Sequence, residues 1–521
     1  MADSDNCPVC RQPARAKCPG CARLIYCSEE HRKQDMAQHK SHCKPYRVEK
    51  NETYGRYLVA NRDIKQGELL LRERPVVVGP RVDSLPACTE CFTLLYPPVS
   101  RCPECQVSPL CPRCTHDPLD CGWYRGLPQE LRELCLRTNN QHVMPLKVLL
   151  HVRAPDPGRY KEMLEMEAHL EERRGSGVWV SHHKNVVELM QTLGVITNSK
   201  EDTDLVQQIC GILDVNSFEV RGTAALAGMG MRLRGVYVEA ALMAHDCITN
   251  VHLSVDDHFV MSIRASVDIP EGQPILYNYT DPLQTTVERQ RHLREGKYFS
   301  CSCRRCTDPT ELGTLLGGLR CPRCRAGHVL GDLESAEWAC NSCDRHFSSG
   351  LMAITTIVAR DLLDDVDRTD PVKLEEALKS LSFTFAPTHS IMIDVKQSIV
   401  AAYRDLEPTR GNLQRKVELC RELLPVLRLL EPGISRLRGI TLYELHVALV
   451  TLAQEHGESQ LLQEAEEILK EAVSLLLYEP TVSPEGELAR QAMAELKSLK
   501  ALVAKQQLKE EKKKKKTKNK K

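Results

Sequence analysis

The sequence predicts an α+β protein of several domains: a strand-rich centre, broken by small cysteine-dense modules, followed by a helical end. Three observations predict this. Most of the 24 cysteines fall into four tight groups. Segments between them, such as YGRYLVANRDIKQGELLLRERPVVVGP (54–80), alternate short β-branched runs with turn signals like KQGE, which reads as a hairpin of strands. From 351 to 505 the apolar spacing changes to a period near 3.6, the mark of amphipathic helices. A chain of 521 residues has room for several separate cores.

Charge and composition exclude several classes. Lys plus Arg and Asp plus Glu number 70 each, but KEEKKKKKTKNKK from Lys509 on holds nine Lys and two Glu, so the rest is mildly acidic. Residues 506–521 are expected to form a disordered, Lys-rich tail, with a nuclear-import or polyanion-binding tag as the sharper alternative. The start MADSDNCPVC has no apolar signal region and no run of 18 apolar residues occurs, so no membrane association is expected. Dense cysteine in a reducing compartment favours metal over disulfide. No basic recognition helix is evident, so specific DNA binding is not expected.

The first group, CPVCRQPARAKCPGCARLIYCSEEHRKQDMAQHKSHC, offers Cys7, Cys10, Cys18, Cys21, Cys27, His31, His39 and Cys43. Eight ligands suit two tetrahedral zinc ions. CxxC aims two thiolates at one point from a tight turn, and the pairs Cys27/His31 and His39/Cys43 have the i, i+4 spacing of one helix face. So short a segment buries little apolar surface, and metal must supply most of its folding energy, on the order of 10 kcal/mol per site.

The second group offers Cys88, Cys91, Cys102, Cys105, Cys111, Cys114, His116 and Cys121, again enough for two zinc ions, with the pairing of ligands left open. The third, KYFSCSCRRC, gives Cys301, Cys303 and Cys306, one ligand short of a structural site, so a fourth must come from elsewhere in the chain. The fourth, Cys321/Cys324 with Cys340/Cys343, is a self-contained four-thiolate ribbon. Cys135, Cys210 and Cys420 lie in apolar surroundings and are expected to be core thiols. Helices are expected over roughly 128–215, followed by strand-like segments and turns to about 306.

The first group resembles the MYND zinc finger, and that resemblance implies one zinc at Cys7, Cys10, Cys27 and His31 and a second at Cys18, Cys21, His39 and Cys43. The second group looks like a contracted MYND-type module with its final helix trimmed. GRYLVANRDIKQGELLLRERP, NSFEV (216–220), HDC-x2-N (245–250), EGQPILYNYTD (271–281) and F-x-C-x-C-x2-C (299–306) stand in the order found in SET domains. Over residues 7 to about 480 the chain is similar to the SET-and-MYND family, most of all to its arthropod branch. The implied architecture is a MYND finger at 7–43 and a split β-rich SET domain at 47–300, interrupted at 88–121 by the zinc insert. A post-SET cysteine cluster and zinc ribbon follow at 301–345, then a helical repeat-like domain at 350–505.

The family transfers a methyl group from S-adenosylmethionine to protein lysines, with histone among its substrates. Cys247 then corresponds to the cysteine that completes the Cys301, Cys303, Cys306 site, so about six zinc ions are expected. Tyr279 corresponds to the catalytic tyrosine, with Tyr277 the packing residue beside it. His245, Asn216, Phe299, Arg56 and Tyr279 correspond to cofactor contacts. The sequence also departs from the family pattern: Tyr57 replaces a loop glycine, Ala244 an asparagine and Asp246 a serine. Lys297 stands where an aromatic closes the lysine channel, with Tyr298 displaced by one.

At the helical end LLQEAEEILKEAVSLLLYEP puts Leu461, Ala465, Ile468, Leu469, Ala472 and Leu476 on one stripe that stops before Pro480. Antiparallel helix pairs resembling tetratricopeptide repeats are expected, without a strict period, to wall the substrate cleft or hold a peptide. Two functions follow: a protein-lysine methyltransferase, or an inactive adaptor whose MYND finger takes proline-containing peptides. Nucleus and cytoplasm are the expected locations.

Overall fold

The computed structural model describes the chain except residues 1–5, 23, 40–42, 82–84, 139, 222–231, 332–336, 344, 456–457, 459 and 519–521. The amino-terminal finger folds around two short strands, Ala16–Lys17 and Ile25–Tyr26, and one helix, Glu29–His39. Cys27 precedes that helix and His31 lies within it, while the expected His39/Cys43 helix pair spans 40–42, which lie outside the described residues. The finger's core is little more than Cys7, Cys18, Cys21 and Tyr26.

The central domain is built from small sheets whose pairings are mostly long-range. Tyr46–Asn51 pairs antiparallel with Gly55–Ala60. Leu69–Glu73 pairs with Met261–Ala265, which also pairs with Val251–Val255. Val77–Pro80 and Ser217–Arg221 flank Arg232–Val236. The strands expected over 54–80 are all present, but they do not pair with one another as a hairpin. Ile64 bridges to Ile269 and the Gly67 N–H donates to the Ala265 carbonyl (2.8 Å), so the KQGE turn delivers the chain to a strand some two hundred residues away. Leu58, Ile64, Val220, Leu233, Tyr237, Met261, Ile263 and Ile275 form the core between these sheets.

The insert is welded into this frame. Cys88, Cys102, Cys105, Cys111 and Cys121 share one buried cluster with Val77, Leu146, Leu149, Val206 and Ile209, contributed by a flanking strand and the helices Val143–Val152 and Lys200–Asn216. The expected core thiols Cys135, Cys210 and Cys420 are buried.

Leu319–Arg320, His328–Gly331, Trp338–Cys340 and His346–Phe347 form the ribbon's four-stranded antiparallel sheet. Successive helices Arg410–Leu430, Arg436–Glu455, Leu461–Leu476 and Pro484–Lys518 then pack on one another, with Ala465, Leu469, Ala472 and Leu476 fully buried along the predicted stripe. The last helix runs through Lys518, where a disordered tail was expected. Once a helix is nucleated each further residue adds one backbone hydrogen bond, so its backbone can continue past the packed part. The helical end docks on the central sheets at a turn where Gly433, with φ +74°, lies so close to Ser266 that a Cβ there would fall 1.7 Å from the Ser266 carbonyl oxygen. Glu479 seals the joint, with Arg436 at 2.9 Å and the strand residue His252 at 3.0 Å.

Candidate metal centres and active site

Among the described residues, at least five sets of four Cys/His ligand atoms gather so that the atoms of each set lie within 4.8 Å of one another. Two are the finger sets expected from the family: Cys7, Cys10, Cys27, His31 and Cys18, Cys21, His39, Cys43. The insert resolves into Cys88, Cys91, Cys111, Cys114 and Cys102, Cys105, His116, Cys121, the same interleaved order. The fifth is Cys247, Cys301, Cys303, Cys306. In the ribbon Cys321 lies 3.8 Å from Cys343 and Cys324 lies 3.7 Å from Cys340, making a sixth site.

The distances fit a tetrahedral metal ion and not disulfides. Sulfurs bound tetrahedrally at about 2.3 Å to zinc stand about 3.8 Å apart, whereas disulfide sulfurs are about 2.05 Å apart. Here Cys18–Cys43, Cys102–Cys121 and Cys247–Cys306 are 3.7, 3.7 and 3.5 Å apart. His31 and His116 present Nδ1 to their sites and His39 presents Nε2. The residues fit six structural zinc ions with every cage closed.

Cys247 thus joins the third group, and the joint ties two distant parts of the chain. It follows the short strand Ala244–His245, which runs parallel to Leu276–Tyr277. Behind the site lies a fully buried ionic set that the sequence did not reveal. Arg289 Nε donates to Cys247 Sγ (3.2 Å) and its Nη2 to Cys306 Sγ (3.6 Å). Its other contacts include Glu311 (2.8 Å), which also takes Arg305 (3.0 Å). Four thiolates on one zinc carry a net charge of −2, and a buried guanidinium is the natural counter-ion. TVERQR did signal this helix, since Thr285 and Glu288 form a capping box, but its charged residues look solvent-facing in the sequence.

His245 is held between this site and Tyr279. Its Nδ1 accepts from the Tyr279 N–H (3.1 Å), which assigns the proton to Nε2, 3.4 Å from Cys247 Sγ. Burial, opposed by Cys303 and helped by the positive charge of Arg289, pushes its pKa down to about 4, in keeping with a neutral ring. The Tyr279 hydroxyl donates to the Met243 carbonyl, and burial raises its pKa. With its proton spent, the phenolic oxygen keeps its lone pairs for a donor. The rings of His245, Tyr279 and Phe299 meet at centroid distances of 5.0, 5.7 and 6.5 Å, and Phe299 remains 36% exposed. Tyr277 packs at 5.9 Å on Phe218, as a core residue.

The other expected cofactor residues have protein partners. Asn216 Nδ2 donates to the carbonyls of Glu167 (2.8 Å) and Ile212 (3.1 Å), and Arg56 donates to the Glu165 carbonyl (2.9 Å). Tyr57 packs its ring at a tilt, 5.2 Å from that of Tyr54, which lies close enough to Asp246, Cys301 and Cys303 to feel their charge. Ala244 is buried. Tyr279, Phe299 and His245 therefore converge on one corner, while Arg56 and Asn216 reach over toward the 165–167 segment.

Comparison with known proteins agrees with this geometry. The MYND finger family matches residues 7–43 and the SET domain family matches residues 55–280. The SET domain-containing protein SmydA-8, isoform A, of Drosophila melanogaster is 25% identical over 358 residues, 66% of this chain and 75% of that protein. The histone-lysine N-methyltransferase ASHR2 of Arabidopsis thaliana is 24% identical over 275 residues, 48% of this chain and 69% of that protein. A solved SET domain of LSMT bound to lysine and AdoHcy covers 77% of this chain and 89% of its own at 13% identity, with a TM-score of 0.29, too low to bear on the fold.

Proposed function

The chain belongs to the SET-and-MYND family, and from that premise we propose that it is an S-adenosylmethionine-dependent protein-lysine N-methyltransferase. The observation that carries the reading is the Tyr279 hydroxyl, anchored on the Met243 carbonyl at a crossing that a zinc site ties in place. When bound, S-adenosylmethionine supplies a methyl group on a sulfonium. The open face of Phe299, beside Tyr279 and His245, suits a flat purine.

The chain's own task is to prepare an amine. A free lysine, with pKa about 10.4, is neutral in fewer than one molecule in a thousand at pH 7. Removal from water disfavours its charged form. The Tyr279 oxygen, whose proton is already donated, can accept an N–H and aim the nitrogen lone pair. His245 fixes the Tyr279 backbone, and Cys247 fixes His245. Relatives named histone-lysine N-methyltransferases make histone the first protein to try.

The second reading is an adaptor whose MYND finger binds proline-containing peptides. Its support is specific: the amides of Asn216 and the guanidinium of Arg56 are engaged by protein carbonyls, and Tyr57 and Ala244 depart from the family's cofactor loop and motif. The Lys-rich end suits a protein shared between nucleus and cytoplasm. Calorimetric titration of zinc-loaded protein with S-adenosylmethionine separates the two readings, since the adaptor gives no heat of binding. Tyr279→Phe should keep cofactor binding and zinc and lose methyl transfer to histone at least a hundredfold; full activity in this variant refutes the role of Tyr279.

A further inference from the structure

Lys297 presents an amine beside the ring of Tyr279. It ends the helix Thr286–Lys297, and the next residue, Tyr298, takes a left-handed conformation (φ 62°) and packs its ring on His169 at 4.9 Å. The Lys297 ammonium lies 5.7 Å from the centre of the Tyr279 ring and donates to the Val215 carbonyl. No carboxylate lies within ion-pair reach of it among the described residues. Lysine normally keeps its head in water. Capping the helix Lys200–Asn216 accounts for the bond to Val215, but does not require the amine to lie over the face of Tyr279.

We propose that Lys297 is a methyl acceptor in cis: the protein methylates its own Lys297, and the unmodified side chain occupies the acceptor position ahead of any other lysine. This rests on the methyltransferase reading of Tyr279. Burial pushes the Lys297 pKa down to about 8, with Asp214 opposing the shift, so much of the amine is neutral in mildly alkaline buffer. The neutral nitrogen's lone pair forms the new N–C bond to the methyl carbon. The S–C bond breaks with its electrons staying on sulfur, so the sulfonium becomes a neutral thioether and the positive charge passes to the methylated ammonium. The methylated cation keeps its attraction to the Tyr279 ring.

The test uses the full-length, zinc-loaded protein with S-adenosylmethionine and no added substrate, followed by digestion and mass spectrometry. The expected result is methylation at Lys297, at a rate per molecule unchanged by dilution and lost in Tyr279→Phe. A second readout needs no turnover. Competitive acetylation by acetic anhydride across pH should give Lys297 a midpoint near 8 in place of the ordinary 10.5, and S-adenosylhomocysteine should lower its labelling. An ordinary midpoint, methylation confined to other lysines, or an unmodified Lys297 in protein that binds S-adenosylmethionine overturns this inference and leaves the proposed function standing. Absence of cofactor binding overturns both.

Discussion

The amino-terminal finger and the insert carry the same eight-ligand pattern, yet they are held in place by different forces. The finger's core is essentially its own ligands and Tyr26, and among the described residues it meets the body at the hydrogen bond from Arg62 to the Gly20 carbonyl. The insert buries its thiolates in a cluster shared with Val77, Leu146, Leu149 and Ile209, and Phe92 reaches across to meet Phe259 edge-on at 5.5 Å. Equal metal chemistry therefore means unequal roles: zinc is nearly the whole fold of the finger, whereas in the insert it closes a structure that apolar burial also holds.

The largest expected effect breaks that symmetry directly. Cys18→Ala should release metal from the finger and unfold it while leaving the body's main unfolding transition in place. Cys105→Ala should pull the main transition down by on the order of 4 kcal/mol, because metal loss there opens a core shared with the central domain. Zinc content by absorption spectroscopy and thermal unfolding of each variant check this. Equal shifts from the two variants would show that the insert is as separable as the finger.

A third joint, between the central sheets and the helical end, sharpens the contrast because it is ionic. Burial opposes ionisation of Glu479, but the hydrogen bond from His252 and the Arg436 guanidinium outweigh it and hold its pKa at about 2, against an ordinary 4.5. A depressed carboxylate pKa adds stability that is complete above pH about 4.5 and is lost as pH falls from there toward 2. The difference is worth on the order of 3 kcal/mol. Glu479→Gln should lose that amount at neutral pH and flatten the acid dependence of unfolding over that window. An unchanged acid slope would show that other carboxylates carry it.

How much of this was legible in the sequence depends on how local the determining contacts are. Ligand spacing is local, so the two eight-ligand groups, the sulfur trio and the ribbon stand out in the sequence, and their residues gather in sets of four, while the finger's interleaving followed from the family pattern. The partner of Cys301, Cys303 and Cys306 lies more than fifty residues upstream, and the family pattern, not spacing, pointed to Cys247. The strands of 54–80 were visible from their composition, but their pairing was not, since Leu69–Glu73 is completed by Met261–Ala265. Arg289 was missed because a buried counter-ion looks like any charged helix residue until the thiolates behind it are placed. At the aromatic corner Tyr279, Phe299 and His245, expected together, do converge. The protein partners of Arg56 and Asn216 were hidden because both are backbone carbonyls of a segment with no motif.

The smallest expected effect tests how loosely the finger is attached. Arg62 Nε donates to the Gly20 carbonyl (2.9 Å) while its guanidinium also pairs with Glu68, so one side chain joins the finger to the central domain. Both partners are partly exposed, and such contacts contribute at most about 1 kcal/mol. Arg62→Ala should therefore leave zinc content and the main unfolding transition within about 0.5 kcal/mol of wild type. It should raise amide hydrogen exchange at the finger's contact with 60–68, because a restraint on orientation has gone while the metal-held fold has not. If Arg62→Ala instead lowered the main transition as far as Cys105→Ala does, the finger would have to be counted as part of the central core, and the contrast with the insert would vanish.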